Sequence, residues 1–203
     1  MRIGLAYPYL GVFVLSYLIG SVSFSYLAVY LVRRRDLRRL GTGNLGARNA
    51  GRLLGWPGFV LVLLGDAGKG FLAVRLAQGW LGTDLASVVA ASGVLLGHSY
   101  SLFLGFSGGK GLASAVGILL ALSPAVLLVM LLLAGLFLLL TRNLYLAPTL
   151  AALFFPAVAW LFWHSRVWAG FGILLVALIL WRHRHNLADC LNRRKAGGCH
   201  RPG

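Results

Sequence analysis

Residues 112–140 read LASAVGILLALSPAVLLVMLLLAGLFLLL, without a single charge, and how this run divides decides the fold. It is one long tilted helix, or two shorter ones turning at Ser123-Pro124, where proline lacks an N–H and crowds the preceding turn. Working outward, further apolar runs cover about Pro8 to Val32, Leu53 to Ala77, Leu85 to Phe106, Leu144 to Trp163 and Val167 to Trp181. Each approaches the roughly 20 residues that a bilayer-crossing helix needs. If 112–140 is one helix, the Arg33–Arg39 cluster and the basic end at Arg182, Arg184, Arg193, Arg194 and Lys195 fall on opposite sides of the membrane. If it is two, every basic cluster falls on one side, as the positive-inside rule requires. The expected fold is therefore an all-α integral membrane protein, a seven-span helical bundle with its N-terminus outside and its C-terminus cytoplasmic. The first half of the divided run, at about 1.5 Å per residue, is too short to cross alone and is expected to sink among its neighbours.

Composition agrees. Of 203 residues 59% are hydrophobic and 11% charged, against about a quarter charged in soluble domains. Lipid is then the solvent for most of the surface. The length fits one domain, 1–203, with a basic tail from about 193 and no internal repeat of the kind that marks inverted-repeat transporters. Lys and Arg number 19 against four Asp and no Glu. These cations sit in short loops and at the C-terminus, which marks a membrane side facing anionic lipid and argues against nucleic acid. Cys190 and Cys199 have neither CxxC spacing nor a zinc set around them, and read as free thiols in a reducing cytosol. The first apolar run lacks a cleavage site and reads as a retained span. Trp160, Trp163 and Trp168 read as interfacial anchors.

With seven spans, four polar segments meet at one face: 41–52, 107–111, 141–143 and 182–192. Gly41-Thr42-Gly43-Asn44-Leu45-Gly46-Ala47-Arg48-Asn49 is either an ordinary turn-rich loop or an anion cradle, because glycines let backbone N–H groups approach closely and Asn and Thr add donors. Arg52 follows, able to grip a phosphate bidentately. Gly105-Phe106-Ser107-Gly108-Gly109-Lys110-Gly111 opens a helix and combines amide donors, a helix N-terminus and a cation. It is not a Walker loop, since the glycine spacing is short and no Ser or Thr follows Lys110. His98, before this loop, is either a packing residue or part of a site. Asp66 and Lys69 lie inside a span, three apart on one helix face. Each would cost about 2.5–3.5 kcal/mol unpaired at the bilayer centre, so they are expected to pair or to face the interior. His183 and Asn186 are likewise three apart. No nucleophile–base pair stands out, so any chemistry must rest on a reactive substrate held by cations and amides.

Together these segments resemble the acyl-phosphate-dependent glycerol-3-phosphate acyltransferases of bacteria, the PlsY family, over nearly the whole chain. The resemblance rests on residues 41–49 with Arg52, on Asp66-x-x-Lys69-Gly70, on Gly97-His98 leading to Phe106-x-Gly-Gly-Lys110-Gly111, and on Arg182-His183-Arg184-x-Asn186. It implies transfer of a fatty acyl group from acyl phosphate to the 1-hydroxyl of glycerol 3-phosphate, giving lysophosphatidate and phosphate. It implies a site on the cytoplasmic face of a bacterial inner membrane. Glycerol 3-phosphate, long-chain acyl phosphate and membrane lipid are the expected partners, with no cofactor, metal, nucleic acid or obligate protein partner. On this reading Lys110 and the amides of Gly108, Gly109 and Gly111 hold a substrate phosphate, Arg52, His183 and Asn186 complete the clamp, and Thr42 and Asn44 orient the acyl phosphate. Asn49 and His98 join the binding residues, and Asp66 and Lys69 form a structural pair behind them. The chain departs from the family pattern at Thr42 (for Ser), Arg48 (for Thr), Ser101 (for Pro), Tyr145 (for Ser), His185 (for Glu) and Asp189. The alternatives are a catalytically degenerate relative that binds phosphate esters, or an organic-phosphate transporter.

Overall fold

The structure is a computed structural model that describes the backbone of residues 6–195 and side chains through Arg182. It is helical, with no β-strand among the described residues: α1 (Ala6–Ser21), α2 (Phe24–Arg33), α3 (Ala47–Leu81), α4 (Asp84–Ser99), α5 (Leu112–Leu122), α6 (Pro124–Thr141), α7 (Leu146–Leu153), α8 (Phe155–Trp163) and α9 (Arg166–Lys195). Ala6–Arg33 and Pro124–Thr141 are each long and apolar enough to cross a membrane, and the pair α7–α8, bent by 43°, is long and apolar enough only when taken as one span.

The decisive run divides in two at Ser123. Its N–H ends α5 on the Leu119 carbonyl, and its hydroxyl accepts from Val126 N–H to open α6, with Pro124 in the first turn where its missing N–H costs nothing. α5, of 11 residues, spans only about 16 Å. It packs along α3, and α6 packs instead on α7. The α3–α5 contact is close because Gly70 and Gly117 have no side chains: a Cβ on Gly117 would strike the Ala67 carbonyl. Small residues likewise bring α1 onto α4, where Gly20, Gly93 and Gly97 lie against the opposing backbone. Val94, Leu95, Ile118, Phe155 and Phe171 form the main core.

Four expectations change. The first span is broken at Val22-Ser23, and the carbonyls that the break releases are taken up: Ser21 by the Ser101 hydroxyl at 2.6 Å and Val22 by Lys69 Nζ at 2.8 Å. The third span ends at Ser99 rather than Phe106; Leu102, Phe103 and Phe106 are exposed on a short loop with Gly105 and Phe106 at positive φ. Their hydrophobicity made the loop read as membrane. The last helix runs on to Lys195 instead of stopping at Trp181, because Arg, Lys, Leu and Ala are good helix formers. Trp168 is no interfacial anchor. It is 3% exposed and packs edge-on to Phe171 in the core, whereas Trp160 is open to the surroundings.

α3 carries a built-in kink. Gly55 sits at φ 73°, ψ −168°, and Pro57 follows. The Leu53 carbonyl would pair with the N–H of residue 57, which proline lacks. Arg33, at the end of α2, donates to it instead at 2.8 Å.

Candidate functional site

The four polar segments converge at one end of the bundle, the end opposite the α3–α4 turn, where Tyr9 meets Thr83. Arg38 donates to the Leu104 carbonyl at 3.3 Å and joins the first loop to the second. The first loop is held from within by Asn49, which is 1% exposed. Its Oδ1 accepts from Thr42 N–H and its Nδ2 donates to the Leu40 carbonyl, each at 3.0 Å. Asn49 therefore shapes the loop from a buried position, and of its polar hydrogens only the second on Nδ2 has no bond among the described residues. The turn requires glycine at 41, where φ is 58° and a Cβ would collide with the Asn49 amide. Thr42 is exposed, Asn44 is half-buried, and Arg52 is exposed beyond them.

The second loop is clamped on both sides. Gly109 N–H donates to the His98 carbonyl at 3.0 Å, and the loop runs so close to His98 and Ser99 that a Cβ on Gly108 or Gly109 would clash. From α9, Arg182 donates to the carbonyls of Gly108 and Gly109 at 2.8 to 3.1 Å. The Gly109 amide assigned to phosphate is thus already engaged, and the N–H groups of Gly108 and Gly111 are among the loop's remaining donors. Gly111, at φ 79°, opens α5. Arg182 also lies 5.1 Å over the Tyr100 ring. Its ordinary place at the end of an apolar span gave no hint of this clamp.

Behind the loop, Lys69 Nζ lies 2.8 Å from Asp66 Oδ1, and His98 Nδ1 lies 3.6 Å from the same oxygen. All three residues are buried. Lys69 thus ties α3 to the break in the first span and, through Asp66, to the end of α4.

Lys110 is half-buried. Burial, with Arg182 and Arg48 nearby, pushes its pKa down to about 8. Its Nζ lies 4.7 Å from the centre of the Tyr145 ring, and the Arg48 guanidinium carbon lies 4.2 Å from the same point. Arg48 and Tyr145 lay outside the expected site. Their separation in sequence hides a contact that exists only where the first and third polar segments meet. Among the described residues no carboxylate faces this group: Asp36 pairs with Arg38, Asp66 with Lys69, and Asp84 starts α4 at the far end. His183 and Asn186 fall within α9, but their side chains lie outside the described residues.

A cation cluster on a glycine loop, walled by membrane helices, suits a phosphate ester. Comparison with known proteins agrees. A profile of the family described as "Glycerol-3-phosphate acyltransferase" matches residues 10–193. The chain belongs to the glycerol-3-phosphate acyltransferase family. A member from Syntrophomonas wolfei is 36% identical, covering 90% of this chain and 93% of its own. The crystal structure of PlsY, an integral membrane glycerol 3-phosphate acyltransferase, in its glycerol 3-phosphate form superposes with a TM-score of 0.83 at 34% identity over 96% of both chains. Its lysophosphatidic acid form gives 0.82 at 32% identity, over 96% of this chain and 95% of that one. This family member is accordingly an integral membrane protein, its short helices packed as in that neighbour.

Proposed function

We propose that this protein transfers a fatty acyl group from acyl phosphate to the 1-hydroxyl of glycerol 3-phosphate, producing lysophosphatidate and inorganic phosphate for phospholipid synthesis. The observation that carries the proposal is the position of Lys110, on a glycine loop braced by His98 and Arg182 and without a carboxylate partner among the described residues. Such a group lacks an anion, and a phosphate supplies it. Family membership and the solved neighbour in its glycerol 3-phosphate form support the acceptor.

The donor follows from the chemistry the site can do. A carboxylic–phosphoric anhydride is already activated, so no enzyme nucleophile is needed. The 1-hydroxyl oxygen forms a bond to the acyl carbon, and the bond from that carbon to the phosphate oxygen breaks. The departing phosphate carries the electron pair away and accepts the hydroxyl proton. Lys110 and the loop amides offset the charge that grows on the leaving phosphate. Thr42 and Asn44, on a loop fixed by Asn49, orient the acyl phosphate, and Arg52, His183 and Asn186 complete the clamp. Seven spans, with the N-terminus outside and this end facing the cytoplasm of a bacterial inner membrane, place the site where soluble glycerol 3-phosphate is available.

The test is phosphate release from detergent-solubilised protein given palmitoyl phosphate, with and without glycerol 3-phosphate. Release that needs both substrates, with lysophosphatidate as product, is expected. Saturable glycerol 3-phosphate binding without turnover would instead identify a degenerate relative. Replacing Lys110 with Ala is expected to abolish turnover in a protein that still folds; turnover retained in that variant would remove Lys110 from the site.

A further inference from the structure

Arg48 is placed against ordinary helix electrostatics. It lies in the first turn of α3, whose N-cap, Gly46, offers no side-chain acceptor. That is the end of a helix where positive charge is disfavoured. The side chain is exposed and has no hydrogen bond or ion pair among the described residues. Its guanidinium lies over the Tyr145 ring, which it shares with Lys110. The backbone that carries the ring is held in turn: Tyr145 N–H donates to Asn143 Oδ1 at 2.9 Å, and its carbonyl accepts from the Thr149 hydroxyl at 2.8 Å. A guanidinium stacked on an aromatic face keeps its N–H edge available for a planar or tetrahedral anion. Arg48 is among the charges that depress the Lys110 pKa, so the two cations feel each other.

We propose that Arg48 grips a substrate phosphate dianion beside Lys110, and that Tyr145 is the positioning residue whose ring lies against both cations and holds them to one anion. This rests on the acyltransferase reading. It adds a phosphate-binding cation and an aromatic support to that site. The phosphate is that of glycerol 3-phosphate or of acyl phosphate, which share the same chemistry.

The experiment measures kcat, the KM of each substrate and the inhibition constant of inorganic phosphate for wild type, Arg48→Gln, Arg48→Lys, Tyr145→Phe, Tyr145→Leu and the double variant Arg48→Gln/Tyr145→Leu. Losing a charge-assisted contact made equally in ground and transition states should raise one KM and the phosphate inhibition constant about tenfold, with kcat nearly unchanged. A shift in the KM of glycerol 3-phosphate alone assigns Arg48 to that ester; a shift in that of acyl phosphate alone assigns it to the donor. Arg48→Lys keeps the charge without the planar stack and should fall between. Tyr145→Phe keeps the ring face and should match wild type, Tyr145→Leu should not, and the double variant should fall short of the product of the singles. Unchanged constants in Arg48→Gln, or equal damage from Tyr145→Phe and Tyr145→Leu, would overturn the proposal. If the wild type performs no acyl transfer, the acyltransferase reading fails on its own. Calorimetric binding of inorganic phosphate to wild type and Arg48→Gln then decides the proposal: weaker binding in the variant supports it, and equal binding rejects it.

Discussion

At the scale of single residues, the chemistry depends on a few cations whose partners lie far away in sequence. Lys110, with its pKa pushed down to about 8 by burial, Arg182 and Arg48, is an ammonium at neutral pH and loses that charge as pH rises through this value. We expect kcat/KM to be level from the second ionisation of the phosphate ester, at about pH 6, up to this value and to fall about tenfold per unit above it. In Lys110→Arg, where the charge persists, a surviving activity should not show the fall; a profile unchanged by that substitution would assign the titration to another group. Lys69 makes a stability prediction. Removing it in Lys69→Ala leaves Asp66 buried without its ion-pair partner, a loss of about 3–5 kcal/mol, to be read as a lowered melting temperature in detergent. The pairing of Asp66 with Lys69 was legible from their spacing on one helix face. The other partner of Lys69, the Val22 carbonyl, was not, because it exists only where the first span breaks.

At the scale of elements, breaks in helices matter as much as helices. The first span opens at Val22-Ser23 and α3 at Gly55, and in each case a side chain from another helix satisfies the released carbonyl. Arg33→Leu would strand the Leu53 carbonyl and should cost about 1 kcal/mol, a change visible as a lower melting temperature without loss of turnover. The Gly108-Gly109 loop is governed by close approach. A Cβ in Gly109→Ala would meet the His98 ring and the Leu45 carbonyl, so the loop must move and carry Lys110 with it. Turnover in this variant is expected to fall at least tenfold, by the sensitivity of positioned groups to small displacements, and the melting temperature to fall with it, because a displaced loop weakens its bonds to His98 and Arg182. Wild-type activity would show that the loop accommodates the methyl group.

At the scale of the whole molecule, the proposed topology rests on the side where cations collect and can be measured. With Cys190 and Cys199 replaced by Ser, a membrane-impermeant thiol reagent should label Gly79→Cys and Arg166→Cys in intact cells. Arg39→Cys and Ser107→Cys should react only after the membrane is opened; the reverse pattern would overturn the seven-span orientation. The membrane class, the division at Ser123-Pro124 and the grouping of polar segments at one end were all readable in the chain. They depend on local quantities: hydropathy over a helix length, a proline's missing N–H, and the side on which cations collect. The engaged Asn49 amide, the clamp of Arg182 on the glycine carbonyls and the shared Tyr145 ring were decided only by tertiary structure. Each joins groups distant in sequence. Their geometry is set by how closely glycine-lined helices approach and by where broken helices leave carbonyls to be satisfied, which no local pattern encodes.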